Sequence, residues 1–186
     1  MGKRIEDVAG AEFGRLFTSF KHTAYRLETL QRYDVSYEEE PYAAFLAGRP
    51  QPADPAKEGW VSMIRDAVEA GKVFQRVHVV DEPLTDYLRY EFGWSYAPNA
   101  AAGEDIRILP AQSGNELGLP DHDYWLFDSR DLWVMEYDEA DRFVFAELVT
   151  DAPAIVAHSY WRDAALHHAI PYADYMRRAG AARHAS

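Results

Sequence analysis

Glu91 has the least ordinary setting of the residues able to do chemistry. Projected at the helical repeat, Leu84, Tyr87, Leu88, Phe92 and Trp94 form one apolar arc, with Asp86, Arg89 and Gly93 opposite, and Glu91 falls inside the arc. An ionised carboxylate enters apolar surroundings only with a partner or with a raised pKa. Two readings follow: a structural ion pair, most simply with Arg107 or Arg26, or an acid lining a polar pocket at the edge of a sheet. In the run Gly103-Glu104-Asp105-Ile106-Arg107, Asp105 and Arg107 share one strand face and Glu104 and Arg107 do not. One glycine flanked by two acids is not a phosphate loop, so Gly103 reads as a turn. His168 projects with Ala157, Trp161 and Ala164 onto an apolar helix face. As a general base it needs an orienting group, for which Glu28 and Asp128 are candidates. Asp121-His122-Asp123 and the i, i+4 pair Asp163 and His167 have metal-ligand chemistry, but each lacks a third ligand at a recognisable spacing, and no metal or cofactor is expected. The candidate ligand-binding set is Arg26, Glu28, Glu91, Glu104, Arg107, Asp128, Trp161 and His168.

These residues need elements to position them. The β-branched run at Val77, Val79 and Val80 predicts a strand; Pro83 fits the first position of a helix carrying Glu91, and Ile106, Ile108 and Leu109 restart an extended run. Arg107, flanked by apolar residues, is expected half-buried. Phe13, Leu16, Phe17 and Phe20 predict a first helix; residues 24–29 alternate as a short strand; Glu38-Glu39-Glu40 opens a helix that runs to Gly48. The proline-rich stretch 49–59 reads as a loop before a helix through Trp60, Ile64 and Val68. After an exposed loop at 110–123, three runs rich in strand formers predict an antiparallel meander, then a helix from Ala154 to Ala169. The expected architecture is α+β: a sheet of about four to six strands, a strand-helix-strand unit followed by the meander, and helices on at least one face. Residues 1–186 read as a single domain, with a helical part at 10–72, the sheet at 73–150 and a carboxy-terminal helix at 151–178.

The motifs SFKHTAYRLE, EPLTDYLRYE, NAAAGEDIRIL, DYWLFDS and WRDAALHHAIPYADY together resemble an uncharacterised actinomycete family, a domain of unknown function often encoded beside helix-turn-helix regulators. The resemblance spans roughly Phe13 to Tyr175. It implies a bacterial cytosolic setting and a regulatory neighbourhood, and it implies no chemistry. A strand-helix-strand unit followed by hairpin strands is also similar to half of a phospholipase D-type fold; that family's His-x-Lys motif is absent, so this likeness implies at most an inactive relative.

The absence of cysteine removes disulfides, thiolate metal sites and cysteine nucleophiles together. No apolar run is long enough for a signal peptide or a bilayer span, so a soluble, cytoplasmic protein with no membrane partner is expected. A net charge of −12 opposes binding by broad phosphate neutralisation, and no direct nucleic-acid partner is expected. Nucleophile-elbow, zincin, P-loop and dinucleotide signatures are all missing. Tyr90, Trp94 and Tyr96, with Trp125 and Trp133, have the make-up of an apolar pocket with polar anchors. The sequence therefore points to a binding or accessory module, a small-molecule sensor or the partner of a helix-turn-helix regulator. The alternative is a cofactor-independent enzyme using Glu91 or His168 as general acid/base and Arg107 as anion anchor.

Overall fold

The computed structural model describes residues 2–184, the last five of them as backbone only. In chain order the elements are β1 (Arg4–Ile5), α1 (Ala11–Ser19), β2 (Thr23–Glu28), α2 (Glu39–Leu46), α3 (Pro55–Glu69), β3 (Val73–Val80) and α4 (Asp86–Glu91). A π-helical turn (Phe92–Tyr96) joins α4 to α5 (Ala97–Ala101), and then come β4 (Asp105–Pro110), α6 (Ala111–Glu116), β5 (Tyr124–Phe127), β6 (Asp131–Tyr137), β7 (Phe143–Val149), α7 (Ala152–His168), β8 (Ile170–Pro171) and α8 (Tyr172–His184).

The strands form one sheet in the order β1-β7-β6-β5-β2-β3-β4-β8. Its centre, β2-β3-β4, is parallel, and the meander β5-β6-β7 continues it antiparallel from β2. The eight strands exceed the expected four to six. The additions are the two-residue edges, Arg4–Ile5 pairing with β7 and Ile170–Pro171 pairing with β4. Pieces that short carry no alternation by which a sequence could announce them. The expected 151–178 helix is interrupted at Ile170–Pro171, and α8 resumes after it from Tyr172 to His184.

Both faces of the sheet are covered. On one, Ala24, Phe74, Trp125 and Trp133 pack with Phe13 and Phe17 of α1 and Ile64 and Ala67 of α3. Farther along that face, Val80, Ile106 and Ile108 pack with Leu88 of α4, with Phe92 and Tyr96 of the π-turn, and with Tyr175 of α8. On the other, Tyr25, Leu27, Val77, Leu109 and Leu132 pack against Ala165 and Ala169. The strand period of two sorts residues to these faces, which is why β2 is buried from Ala24 to Glu28 and β3 is buried on both faces at Arg76, Val77 and His78.

Three local readings change. Pro83 precedes the helix instead of starting it: Thr85 is the N-cap, its side chain accepting from Leu88 N at 3.1 Å. The proline-rich loop yields a helix from Pro55, since Asp54 accepts from Lys57 N at 3.1 Å with proline at the first helical position. The loop at 110–123 contains α6.

The turn read at Gly103 is observed, with φ +109°, and an added Cβ would lie 2.9 Å from Val68 Cγ1. Gly103→Ala is expected to cost about 1–3 kcal/mol, from positive-φ strain plus the clash with α3. Urea denaturation of the variant beside wild type checks this; an unchanged midpoint would mean the turn yields freely.

Candidate functional site

The register of β2 against β3 sets Arg26 beside Arg76 and Glu28 beside His78, all on the helix-covered face. Two adjacent guanidiniums repel, and the surrounding carboxylates offset this. Glu28 Oε1 accepts from Arg76 Nη1 at 2.7 Å and from Arg26 Nε at 3.4 Å. Glu104 Oε1 accepts from Arg76 Nε at 2.8 Å, and Asp123 Oδ2 from Arg26 Nη2 at 2.7 Å. Arg26 Nη1 also donates to Met135 Sδ, and Nη2 to the Tyr137 hydroxyl at 3.0 Å. All of these charged side chains are buried. The result is a charged seam between the two apolar clusters of that face.

Glu28 Oε2 faces a second group of polar atoms. The Tyr96 hydroxyl lies 2.6 Å from Glu28 Oε2 and 2.6 Å from His78 Nδ1. His78 Nε2 lies 2.8 Å from the carbonyl oxygen of Leu30, which can only accept, so Nε2 carries a proton. Burial lowers the pKa of His78 despite the nearby Glu28 carboxylate, which favours the neutral ring, with the Nδ1 lone pair facing the Tyr96 hydroxyl. One tyrosine proton then serves two acceptors. Glu91 Oε2 lies 3.7 Å from the same Nδ1 and has no hydrogen-bond partner among the described residues. The cluster leaves one polar atom unsatisfied.

The π-turn makes this meeting possible. In a regular α-helix Glu91 and Tyr96 would point roughly 140° apart, whereas the widened turn brings position i+5 back over position i. Burial, then repulsion from Glu28, pushes Glu91 well above the usual carboxylate range. Burial would raise Glu28 too, but Arg76 and Arg26 outweigh it and hold its carboxyl far below that range. Burial raises Glu104 against the pull of Arg76. The three buried glutamates thus have different proton affinities within one site.

The expected site residues divide. Arg26, Glu28, Glu91 and Glu104 come together in and around the seam. Glu91 is paired with neither expected arginine: Arg26 is bound to Glu28, Asp123 and Tyr137, and Arg107 lies on the opposite face of the sheet. Arg107 is half-buried as expected, held by Asp105 at 2.9 Å and donating to the Leu166 carbonyl at 2.7 Å. His168 is exposed against the ring of His167, and the buried histidine of α7 is His158. Trp161 packs on His158 with ring centroids 4.8 Å apart. The acid/base arrangement of Glu91 or His168 with Arg107 is therefore not assembled. The Asp121-His122-Asp123 run diverges: Asp123 enters the seam, His122 turns to His158 at 3.0 Å, and Asp121 is exposed. Asp163 bonds Arg162 at 2.8 Å instead of His167. Trp125 and Trp133 lie in one apolar cluster and Tyr90, Trp94 and Tyr96 in the other, so these aromatics do not line a common pocket.

Asp128 is a turn anchor outside the seam. Its carboxylate accepts from the backbone N–H groups of Lys21, His22 and Thr23 at 2.9, 2.7 and 2.9 Å. Slight burial opposes these bonds, but they win, and its pKa is lowered. The folded state thus holds the ionised form more tightly, so the contribution is present above the ordinary aspartate value and lost as pH falls through the lowered one. Asp128→Asn is expected to cost about 1 kcal/mol at neutral pH, with the difference from wild type shrinking in acid. Thermal melts at pH 7 and pH 3 measure it.

Sequence reasoning missed Arg76, His78 and Tyr33, and it missed the roles of Asp123 and of Tyr96, which it named only as an aromatic pocket lining. A signal existed for two of them, since Phe74, Arg76, His78 and Val80 alternate onto one face of β3. The hydroxyl contacts of Tyr96 were hidden by the assumption of a regular helical repeat, and those of Asp123 by its place at a loop end.

Comparison with known proteins adds three findings. The model of a family described as "Domain of unknown function (DUF6879)" matches residues 11–177. No curated protein matches the chain. Among solved structures, the fold is similar to that of TrmBL2, described as an archaeal chromatin protein whose structure shows a novel mode of DNA binding, with a TM-score of 0.51 and 8% identity over 92% of this chain. The match spans about half of that protein, 55% of its chain. The expected exclusion of direct nucleic-acid contact is corrected by this likeness. A net charge of −12 is a sum over the whole surface; it bears on broad phosphate neutralisation, whereas this fold occurs in a protein that binds DNA. Among the described residues no helix is long and apolar enough to cross a membrane.

Proposed function

This chain is a member of the DUF6879 family, and we propose that it acts there as a sensor module, taking a small charged ligand into the cluster around Glu91 and passing its occupancy to a transcriptional regulator. One observation carries the reading. A buried carboxyl oxygen of Glu91, on a residue only 8% exposed, has no hydrogen-bond partner and lies 3.7 Å from His78 Nδ1. Buried polar groups are nearly always satisfied, and the exceptions concentrate where a ligand completes them. The route for the signal is the segment from Leu30 to Leu46, which covers this end of the seam. It is pinned by the Tyr33 hydroxyl on Asp123 Oδ2 at 2.7 Å and by the Tyr87 hydroxyl on Glu38 Oε2 at 2.7 Å. A depression of about 30 Å³ opens between these same tyrosines and Tyr42. The likeness to a chromatin protein concerns the fold, and it is in keeping with work beside DNA.

Because Glu91 has no counter-ion to abandon, Glu91→Gln is expected to leave stability unchanged or raise it by about 1 kcal/mol at neutral pH. The sign follows from its raised pKa: the folded state binds this proton more tightly, so the contribution is complete below the ordinary glutamate value and is lost as pH rises through the raised one. The gain from Glu91→Gln should therefore grow as pH rises from 5 to 8. A thermal-shift panel of metal ions and small organic ions, run on wild type and Glu91→Gln, tests the function. A drop of several degrees in the variant, with every wild-type ligand response retained, would make Glu91 structural and end the sensor reading.

A further inference from the structure

Resting on the sensor reading, the geometry points to the class of ligand: we propose that Glu28, His78 and Glu91 form a binding site for a divalent transition-metal ion of the zinc class. Their ligating atoms lie within 4.8 Å of one another, and all three residues are buried. His78 Nδ1 is 3.6 Å from Glu28 Oε2 and 3.7 Å from Glu91 Oε2. A tetrahedral zinc with bonds of about 2.0–2.2 Å separates its ligands by roughly 3.3–3.6 Å, so two edges of the site are near their bound lengths already.

Three further features select a cation. The Leu30 carbonyl fixes the His78 proton on Nε2, the outer hydrogen bond that ordinarily orients a metal-binding imidazole, and turns the Nδ1 lone pair inward. Glu91 Oε2 points to the same place without a partner. In the surrounding cluster four carboxylates, Glu28, Glu91, Glu104 and Asp123, meet two guanidiniums, Arg26 and Arg76. Carboxyl groups thus outnumber guanidiniums by two, and a divalent ion can take the place of protons there. An anionic ligand would meet the same excess of acid groups. Nitrogen with two carboxylate oxygens suits zinc, iron, cobalt or nickel; magnesium keeps several waters and calcium takes six or more oxygens, and neither fits an imidazole-bearing interior. The Tyr96 oxygen, 2.6 Å from both Glu28 Oε2 and His78 Nδ1, stands beside the site as a further donor.

The full chain, stripped with a chelator, is titrated with Zn²⁺ by calorimetry and with Co²⁺ by visible absorption. The expected result is one equivalent bound, with cobalt ligand-field bands. Replacing outer-shell partners of metal ligands costs about 10–100-fold in affinity, so loss of a ligand in Glu91→Gln should cost at least about 100-fold. Circular dichroism confirms that variant's fold, and His78→Gln is the second test of the same site. Absence of binding to wild type, or equal binding to Glu91→Gln, overturns the proposal. So does binding that disappears in His122→Gln, because the metal would then sit at the His122 and His158 pair, whose Nε2 atoms are 3.0 Å apart. If Zn²⁺ and Co²⁺ fail while a Glu91-dependent organic ion shifts the melt, the metal inference falls and the sensor reading stands. If nothing in the panel shifts the melt, both fall.

Discussion

Arg76→Met is expected to lower folding stability by about 3–5 kcal/mol, the range for removing one partner of a buried ion pair. The guanidinium bridges Glu28 at 2.7 Å and Glu104 at 2.8 Å, and its removal leaves two buried carboxylates facing each other. Arg26 compensates little, since it reaches Glu28 only at 3.4 Å and is already bound to Asp123. Methionine keeps much of the aliphatic stem and gives up the guanidinium, which lies 5.2 Å from the Tyr96 ring centre, so the loss reports charge more than volume. Urea denaturation gives the number. Adding Glu104→Gln to the variant should restore part of the loss, because the uncompensated charge is then halved. A single-variant cost below about 1 kcal/mol would mean that water reaches the seam.

Asp123→Ala should cost a similar ~3–5 kcal/mol, with a different pattern of local opening. Its two oxygens accept from Arg26 Nη2 at 2.7 Å, the Thr29 backbone N–H at 2.8 Å, the Thr29 hydroxyl at 2.9 Å and the Tyr33 hydroxyl at 2.7 Å. The first partner belongs to the central sheet, and the others to Thr29, where the chain leaves β2 for the covering segment, and to Tyr33 within that segment. The variant should therefore expose the amide hydrogens of residues 29–35 to exchange before the rest of the fold opens, whereas Arg76→Met should loosen the seam without that selectivity. Hydrogen exchange resolved by mass spectrometry separates the two patterns. Uniform exchange in both variants would mean that the cover is not an independently opening unit, and the proposed signal path would lose its support.

Local pattern determined the elements of this protein and some of its chemistry. The apolar arc around Glu91 marked that residue as anomalous, and it is buried and unpaired. Alternation separated Arg26 and Glu28 from Tyr25 and Leu27, and that sorting is observed. Period survives in a sequence because neighbouring residues alone set it. The helix face of α7 was misjudged because the small, uninformative residues Ala157 and Ala164 stand on one side and Ala154 and Ala165 on the other. Leu166 and Ala169 settle the choice only by packing against the sheet, which turns His158 inward and leaves His168 exposed. Tertiary structure likewise decided which charges meet. Glu28 reaches Arg76 across 48 residues of chain and Arg26 reaches Asp123 across 97, and no local period encodes a pairing at such separations. Strand register placed Glu28 beside His78, and the π-turn added Tyr96, so the polar cluster exists only once three parallel strands and one widened helical turn have closed around it.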